Sequence, residues 1–395
     1  EKKQCKTIAA SDGNNGQEEL KLLRQTAREF CENEIAPQIN RMEEEGRLLP
    51  ELWDKMAELG FLAVGYPEEV GGMGYGIIGD CIFSEELSRV HPSTAITVGA
   101  HSKLACGALF VGGNAEQIEK YLKPSLQGKL AGAFALTEAE AGSDASNIRT
   151  TSQKDGNEWV INGSKRFITN ADFADFVVVI AQTNPELGQK GLTAFIVETK
   201  WPGYKVEKVE KKVGLHASRT CELSLANVRV PTENMLGGIG DGFKIFMKAL
   251  NGGRLALAAG CLGMAKAAFE QAFDHASARK QFGQPLTGFQ NTQFKLAEMA
   301  SKIYLMEQGV YTAAAKADSG RDVRMEAAML KLMCSEMMWQ IVDDAVQIHG
   351  GNSFMEEYPI ARLFRDSRVY RIFEGTNEIQ KLLIFKGLAT SDGKI

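Results

Sequence analysis

The chain has 395 residues, of which 44% are hydrophobic and 24% charged, and its formal net charge at pH 7 is −5. This length suffices for two or three domains with a sizeable hydrophobic core, and the composition is that of a globular chain and not of a disordered one. The acidic balance argues against nucleic-acid binding, and no apolar run approaches the roughly 20 residues that cross a bilayer.

The cysteines predict neither a metal site nor a disulfide framework. The seven are widely separated, odd in number, and form no CxxC pair or Cys/His cluster. Residues 1–16 lack the apolar core of a signal peptide. Several cysteines stand among apolar residues and are interpreted as reduced core residues, which favours a reducing compartment. They are Cys81, Cys106, Cys261 and Cys334.

Residues 18–130 show helical periodicity, with Leu20, Leu23, Ala27 and Phe30 on one face and charges opposite. Residues 59–76 are predicted to be a glycine-rich connection, and helices are expected again at 80–89 and 115–126.

The segment from Gly74 to Gly79 spells GxGxxG, but a dinucleotide-binding fingerprint must follow a strand and open a helix within a βαβ unit. Here a loop precedes the segment and no βαβ alternation follows. We therefore interpret it as a flexible loop before a helix.

Residues 131–240 change to a β pattern. The segment from Glu158 to Thr169 resembles a hairpin in which Asn162 and Gly163 supply the positive φ angles of a type I′ turn. Runs at 176–181 and 192–197 are apolar and β-branched, as buried strands are. A further half-buried strand is predicted from the alternation of Cys221, Leu223 and Leu225, and Pro231 ends it.

From residue 241 to residue 395 the pattern is helical. Phe243, Phe246, Met247 and Leu250 follow i, i+3, i+4, i+7 spacing, and long Ala/Met/Leu-rich helices are predicted at 254–277, 290–318, 325–348 and 376–388. Several are apolar on more than one face, which indicates burial in a bundle or a subunit interface. The predicted fold class is multi-domain α+β, with an N-terminal helical domain (18–130), a middle β domain (131–240) and a C-terminal helical bundle (241–395).

Three segments carry a family resemblance. They are Phe134-Ala-Leu-Thr-Glu-Ala-Glu-Ala-Gly-Ser-Asp144, Arg279-Lys-Gln-Phe-Gly283, and the stretch from Gln347-Ile-His-Gly-Gly through Arg362-Leu-Phe-Arg-Asp366 to Phe373-Glu-Gly-Thr-Asn-Glu378. Each alone is a weak signal, but their order and spacing in a helix–β–helix layout are specific. On these residues the chain resembles the acyl-CoA dehydrogenase family over roughly residues 18–388. The resemblance implies a C-terminal four-helix domain and a homotetramer, or dimer of dimers.

The resemblance also implies FAD, bound between the β and C-terminal domains and completed by a neighbouring subunit. Arg279 would offer a guanidinium fork to the pyrophosphate, and Gly350 and Gly351 would let backbone N–H groups approach it. The positions expected at the flavin are Phe134, Ala135, Leu136, Thr137, Ser143, Phe167, Ile168 and Thr169. The remaining FAD positions are Gln281, Phe282, Phe289, Gln290, Gln347, Ile348, Thr376 and Glu378.

Glu374 matches the family's catalytic base in Phe-Glu-Gly-Thr. The α C–H of an acyl thioester is weakly acidic, so a carboxylate of ordinary pKa is a poor base, and burial raises that pKa into a useful range. The resemblance implies that Glu374 removes the α-proton while flavin N5 accepts the β-hydride, giving a trans-2-enoyl-CoA. The expected substrate-binding residues are Ser143, Asn251, Arg254 and Gly375.

A subset of the family carries its base immediately before the arginine that matches Arg254. This chain has Gly253 there, which offers no side chain, so the sequence favours Glu374.

Plainer roles exist for each residue taken singly. Thr137 and Ser143 could be turn residues, Arg279 could form a surface ion pair, and Glu374 could be an exposed acid before a helix. Gly350 and Gly351 could be a helix C-cap and Arg254 part of an interhelical ion pair.

The resemblance further implies an acyl-CoA substrate, electron-transferring flavoprotein as the partner, and a place in fatty acid β-oxidation. The location would be cytoplasmic for a bacterial chain and the mitochondrial matrix for a eukaryotic one. Alternatives are an enoyl-CoA reductase working in the opposite direction, an acyl-CoA oxidase, and a non-catalytic scaffold of the same fold.

Overall fold

The computed structural model describes residues 14–391 and residue 393, apart from the side chains of Asn14, Asn15 and Asn251. Residues 1–13 of the polar segment 1–16 considered above therefore lie outside the described residues. Helices form the first part of the chain, a β-sheet the middle and long helices the last part, as the sequence predicts.

The first part consists of short helices packed around an apolar core. Leu23, Ala27 and Phe30 are buried in it, which confirms the helical face predicted for this segment. Only Gly74 and Tyr75 of the segment with GxGxxG spelling lie in the predicted loop, because the helix begins at Gly76 and includes the rest of the segment. The helices are α1 (Asn14–Phe30), α2 (Ile39–Glu45), α3 (Pro50–Glu58), α4 (Gly76–Val90), α5 (Pro92–Gly99), α6 (Cys106–Gly112), α7 (Ala115–Gln117) and α8 (Lys123–Leu126).

Among the residues that the structure describes, one helical segment is long and apolar enough to cross a membrane, contrary to the expectation from the sequence. It runs from Pro92 to Gly112 and joins α5 and α6 through a π-helical segment, Ala100–Ala105. More than half of its most apolar window is buried inside the protein, and a core helix passes the same test of length and composition.

The middle part is an eight-stranded sheet in the order β6-β7-β3-β2-β4-β5-β8, with β1 beside β4. Strand β4 is central, since β5 pairs with it on one side and β1 and β2 on the other, and it is buried along its whole length because apolar clusters pack on both of its faces. The strands are β1 (Gly132–Ala135), β2 (Thr151–Asp155), β3 (Glu158–Thr169), β4 (Phe176–Gln182), β5 (Leu192–Glu198), β6 (Tyr204–Val209), β7 (Thr220–Pro231) and β8 (Met235–Leu236).

The hairpin predicted within residues 158–169 is wrong, because β3 is a single strand over that range. Its pairing with β7 shifts register between Ile161 and Gly163, so the Asn-Gly pair forms a bulge and not a turn. The Asn162 side chain accepts a hydrogen bond from the Asn227 backbone at 2.8 Å and fills the irregularity. The hairpin that does form joins β2 to β3, and its turn is at residues 156–157, before the predicted one.

The last part contains α9 (Gly242–Ala278), α10 (Gln290–Asp318), α11 (Arg324–His349), α12 (Pro359–Ser367) and α13 (Asn377–Thr390), with a small ribbon of β9 (Lys280–Gln281) and β10 (Gln284–Pro285). The two helical stretches expected on either side of residues 251–253 are one helix, so the glycine pair does not interrupt α9. Farther along α9, Gly263 allows contact with α4, since an added β-carbon would lie 2.1 Å from the Glu85 carbonyl oxygen. The six described cysteines are buried and free, which confirms the reduced core residues, and Cys5 lies outside the described part.

Candidate active site

A cavity of about 1130 Å³ lies where the three parts of the chain meet. Its walls come from α4 and α5, from β1 and the loop after it, from the end of β3, from α9, and from the turn before α13. Pockets for drug-sized ligands are typically ~300–1,000 Å³. The cavity is therefore large enough for an extended ligand that touches all three parts.

The wall formed by β3 depends on a second bulge, where the register with β7 shifts between Lys165 and Ile168. Phe167 occupies this bulge with a positive φ of 60°, which a bulky side chain rarely adopts, and 57% of it is exposed. Its ring faces the cavity with the Arg166 guanidinium 4.9 Å from the ring centroid. The bulge therefore turns an aromatic ring outward that a regular strand would not present there.

A buried ion pair ties this wall to the loop after β1. Lys165 is fully buried and its Nζ donates to Glu138 Oε1 at 2.8 Å and to the Leu136 carbonyl at 3.0 Å. Burial lowers the pKa of Lys165 to about 8, and the Glu138 carboxylate opposes that shift. The Arg166 N–H also donates to the Thr137 carbonyl at 2.8 Å. These contacts fix the two cavity walls relative to each other.

Glu374 lies in a tight turn between a 3₁₀ segment (Arg368–Arg371) and α13. Its φ is 57° and that of Gly375 is 86°, so two consecutive residues have left-handed conformations. Such strain in a non-glycine residue clusters at functional sites. The side-chain hydroxyl of Thr376 then caps α13 by accepting from the Ile379 N–H at 3.3 Å.

The Glu374 carboxyl group lines the cavity, and its Oε2 is buried without a hydrogen-bond partner among the described residues. Burial raises the pKa of Glu374 to about 7, while the charges of Arg254 and Lys331 act in the opposite direction. A carboxylate with a buried, unsatisfied oxygen and a pKa near neutrality can accept a proton from a ligand in the cavity.

Arg254 is 3% exposed and lines the same cavity from α9. Burial lowers the pKa of its guanidinium, and the Glu374 carboxylate opposes that change. A β-carbon added to Gly375 would lie 3.8 Å from Arg254 Nη2, so the turn passes close to this cation. Arg254 thus belongs to the surroundings of Glu374.

The structure brings most of the predicted site residues into one cavity. Ala135 is buried just behind its wall, and the side chain of Asn251 lies outside the described part of the structure. The predicted residues that line the cavity are Phe134, Leu136, Thr137, Ser143, Phe167, Ile168, Thr169, Arg254, Glu374, Gly375 and Thr376.

The other predicted residues do not line this cavity. Most of them form what we call the distal face, where the end of α9, the β9–β10 ribbon, the start of α10 and the end of α11 come together. The rings of His275 and His349 stack there with centroids 4.4 Å apart and join α9 to α11. Glu378 is exposed on α13. The distal face contains Arg279, Gln281, Phe282, Phe289, Gln290, Gln347, Ile348, Gly350 and Gly351.

Sequence reasoning missed Lys331, which is fully buried in α11 and donates to the Gly375 carbonyl at 2.9 Å. A signal was present: Lys331 follows Ala327 and Ala328 and precedes Cys334 at the spacing of a buried helical face. A lysine on such a face must find buried acceptors. What could not be seen was that the acceptors belong to the turn of Glu374.

Three family models match the chain in succession. The model described as acyl-CoA dehydrogenase, N-terminal domain, matches residues 17–129, the middle-domain model matches 133–228, and the C-terminal-domain model matches 240–389.

Two curated relatives match nearly the whole chain. An acyl-CoA dehydrogenase of Bacillus subtilis is 41% identical over 371 residues, covering 94% of this chain and 98% of the relative. The caffeyl-CoA reductase–Etf complex subunit CarC of Acetobacterium woodii is 40% identical over 368 residues, covering 93% and 97%.

Two solved structures share the fold. Butyryl-CoA dehydrogenase from Megasphaera elsdenii superimposes with a TM-score of 0.92 at 39% identity, covering 96% of this chain and 100% of that one. The acyl-CoA dehydrogenase complexed with FAD from Bacillus anthracis gives a TM-score of 0.88 at 36% identity, covering 99% of this chain and 69% of that one.

Proposed function

The chain belongs to the acyl-CoA dehydrogenase family, and on that premise we propose that it dehydrogenates an acyl-CoA between its α- and β-carbons with Glu374 as the base. The observation that carries the proposal is the Glu374 carboxyl group, which faces the cavity with a buried, unsatisfied Oε2. Because burial raises its pKa to about 7, this group can both accept and return a proton near neutral pH.

The family is FAD-dependent, and the cavity fits the flavin. Phe134 and Leu136 offer an apolar wall, the exposed ring of Phe167 stands at the β3 bulge, and Thr137 and Thr169 supply hydroxyl groups. Gly142 also lines the cavity, and an added β-carbon there would meet nothing within 4 Å, so the cavity is open beside this residue. When bound, FAD supplies the acceptor for the hydride of the substrate β-carbon.

The protein's own part in the reaction is to hold and deprotonate the substrate. Glu374 takes the α-proton, and the positive charges of Arg254 and Lys331 stabilise its ionised form beforehand. The neighbouring cavity surface is largely apolar, which excludes water around the acyl chain and strengthens these charge interactions.

We further propose that electrons pass to an electron-transferring flavoprotein and that the reaction serves fatty acid oxidation. The name of the CarC relative, which places it in a complex with Etf, supports such a partner. The same name favours a second candidate, an enoyl-CoA reductase, in which Glu374 returns the proton to the α-carbon. The same groups serve both directions.

We also propose that the protein is a homotetramer in which each FAD contacts two subunits. The distal face, with its Arg279 and glycine pair, lies apart from the cavity that contains Glu374. It also exposes an aromatic ring, since Phe282 is 94% exposed, and Phe354, three residues after Gly351, is 88% exposed. Exposed aromatic groups of this kind mark interaction surfaces.

The main test is anaerobic titration of the FAD-loaded protein with butyryl-, octanoyl-, palmitoyl- and isobutyryl-CoA. Bleaching of the flavin absorbance by at least one of them is expected. Absence of bleaching by any acyl-CoA would refute the dehydrogenase proposal. Reoxidation of the reduced protein by an electron-transferring flavoprotein or by oxygen then separates the dehydrogenase from an oxidase.

A complementation experiment tests the shared FAD site. Glu374→Gln lacks the base and Arg279→Ala lacks the predicted pyrophosphate contact, so each homo-oligomer is expected to be impaired. If Arg279 serves the neighbouring subunit, a mixed oligomer contains some sites with both residues intact, and activity returns after the two variants are unfolded and refolded together. If Arg279 serves its own subunit, no mixed site is intact and activity stays low.

A further inference from the structure

The turn that carries Glu374 accepts a hydrogen bond from a buried lysine of α11, Lys331. We propose that Lys331 is a positioning residue for the base: its ammonium group clamps the turn at Gly375 and supplies a buried positive charge that favours ionised Glu374. This inference rests on the proposed function, because it concerns the residue that removes the proton.

The clamp acts on the strained part of the turn. Residues Glu374 and Gly375 both have positive φ angles, of 57° and 86°. The Gly375 carbonyl accepts from Lys331 Nζ at 2.9 Å and from Gln380 Nε2 at 2.9 Å, and the Glu374 carbonyl accepts from Gln380 at 3.2 Å. Both carbonyls of the strained pair are therefore satisfied by side chains, which favours the left-handed conformation.

The lysine is itself held by a network that reaches both ends of the turn. Its Nζ also donates to Asn377 Oδ1 at 2.8 Å, and the Asn377 amide donates to Glu336 Oε1 at 2.7 Å. The same Glu336 oxygen accepts from Arg371 Nε at 2.9 Å. Because Arg371 precedes Glu374 and Asn377 follows it, α11 contacts the chain on both sides of the base.

The hydrogen bonds that Lys331 donates could also be made by a neutral side chain. Lys331 is fully buried, and no carboxylate oxygen of the described residues lies within 4 Å of its Nζ, since it forms no salt bridge. Burying an unpaired ammonium costs several kcal/mol in proteins. That cost is explained if the charge acts at longer range on a carboxylate nearby.

The charged groups around Lys331 identify that carboxylate. From α9 it faces the Arg254 guanidinium and the Cys261 thiol, which stays neutral because burial keeps its pKa well above the usual range. The carboxylates that act on it most strongly are Glu374, in the cavity, and Glu378, which is exposed on α13, whereas Glu336 of the same network pairs with Arg371. Solvent screens Glu378, so Glu374 is the buried partner.

The electrostatics of the two groups agree with this pairing. Burial lowers the pKa of Lys331 to about 8, and the Glu374 charge opposes that change. Burial raises the pKa of Glu374 to about 7, and the charges of Arg254 and Lys331 oppose it. Each group thus favours the charged form of the other.

The test is the pH dependence of flavin reduction at saturating acyl-CoA, measured by stopped flow on FAD-loaded variants. Lys331→Gln keeps a donor and removes the charge, so its midpoint is expected to move up by about one pH unit, with a rate about tenfold lower on the acid side and little change in acyl-CoA affinity. Lys331→Arg keeps the charge and is expected to keep the wild-type midpoint.

Two further variants make the result specific. Lys331→Met, an apolar replacement of similar length, is expected to show the same midpoint shift and a lower alkaline plateau, because the clamp is lost as well. Lys316→Gln is the matched control: Lys316 pairs with Glu326 between α10 and α11 and does not line the cavity. Its profile is expected to be that of the wild type.

The outcomes separate this proposal from the proposed function. If the wild type is reduced but Lys331→Gln and Lys331→Met keep its midpoint, the lysine is only structural and the proposal is wrong, whatever happens to the plateau. If no acyl-CoA reduces the wild type at any pH, the dehydrogenase function itself fails.

Discussion

A β-carbon placed on Gly253 would lie 3.8 Å from Oε2 of Glu374, although one residue lies in the middle of α9 and the other in the turn before α13. The two positions considered for the base from the sequence therefore converge on one point of the cavity. In this chain only the second position carries a carboxylate, and the first is an open glycine.

Removal of the base should abolish the chemistry and leave binding intact. Glu374→Gln keeps the size of the side chain but cannot accept the proton, so we expect flavin reduction to fall by at least ~10³-fold. Anaerobic single-turnover bleaching measures the rate, and FAD and acyl-CoA titrations serve as controls for binding. Reduction at a near-normal rate would show that Glu374 is not the base.

A carboxylate at position 253 should be able to replace the base at position 374, since a β-carbon at position 253 would lie 3.8 Å from Glu374 Oε2. Glu374→Gly empties one position, and adding Gly253→Glu places a carboxylate at the other, beside Leu104 and Lys103. We expect the double variant to reduce flavin at least about tenfold faster than Glu374→Gly alone, as positioned bases contribute factors of ~10² or more. Gly253→Gln with Glu374→Gly controls for side-chain volume, and equal rates in the two double variants would contradict the convergence.

The order of helices and strands could be predicted because hydrophobic periodicity is a local property. The two errors in the chain path arose where local signals conflict with tertiary pairing. Asn162-Gly163 is a good turn sequence, but β7 pairs with β3 on both sides of it and makes it a bulge. The glycine pair before Arg254 does not end α9, because packing on both sides maintains the helix.

Only those site residues that belong to sequence motifs could be predicted. The motifs include Glu374 and Arg279 together, but the distance between the cavity and the distal face is a property of the fold. No motif includes Lys331, whose partners Gly375 and Asn377 are more than forty positions away in sequence. Long-range hydrogen bonds of this kind produce no periodic pattern in the sequence.

The base should reduce the stability of the protein at high pH. In the unfolded chain its pKa is 4.5, and burial raises it to about 7, so the folded state binds the proton more tightly. The stability that this preference provides is complete below pH 4.5 and is lost as the pH rises through about 7. Above that pH we expect Glu374→Gln to be more stable than the wild type by up to about 3 kcal/mol. Denaturant unfolding at several pH values measures this difference, and a difference independent of pH would contradict it.

The Lys165–Glu138 pair should be essential for the cavity wall. Lys165→Met leaves the Glu138 carboxylate buried without its counter-charge, so we expect a loss of about 3–5 kcal/mol. The contact from Lys165 to the Leu136 carbonyl is lost as well, so FAD should dissociate faster. Arg229→Met removes a surface pair with Glu158 and serves as the control, with an expected effect below about 1 kcal/mol. Equal effects in the two variants would mean that burial of the first pair adds nothing.

The length of the acyl group should depend on Gly99, at the end of α5. It lines the cavity one turn before Lys103 and Leu104, which flank Gly253, and an added β-carbon would meet nothing within 4 Å. Gly260, which lines the cavity from α9, has no such space, because its added β-carbon would lie 2.8 Å from Ser88 Oγ. A larger side chain at Gly99 can therefore extend into the space for the acyl chain without displacing the protein.

We expect Gly99→Leu to keep activity on butyryl-CoA and to lose at least about tenfold in kcat/KM on palmitoyl-CoA relative to the wild type, since each misplaced methylene costs ~1–3 kcal/mol. Gly99→Ala is the matched control: it should stabilise the helix by up to about 1 kcal/mol and change the chain-length profile little. The profile is measured as flavin reduction by a series of acyl-CoAs of increasing length. An unchanged profile in Gly99→Leu would show that the acyl chain follows another wall, and reduced activity on every substrate would show that the leucine disturbs the turn of Glu374 instead.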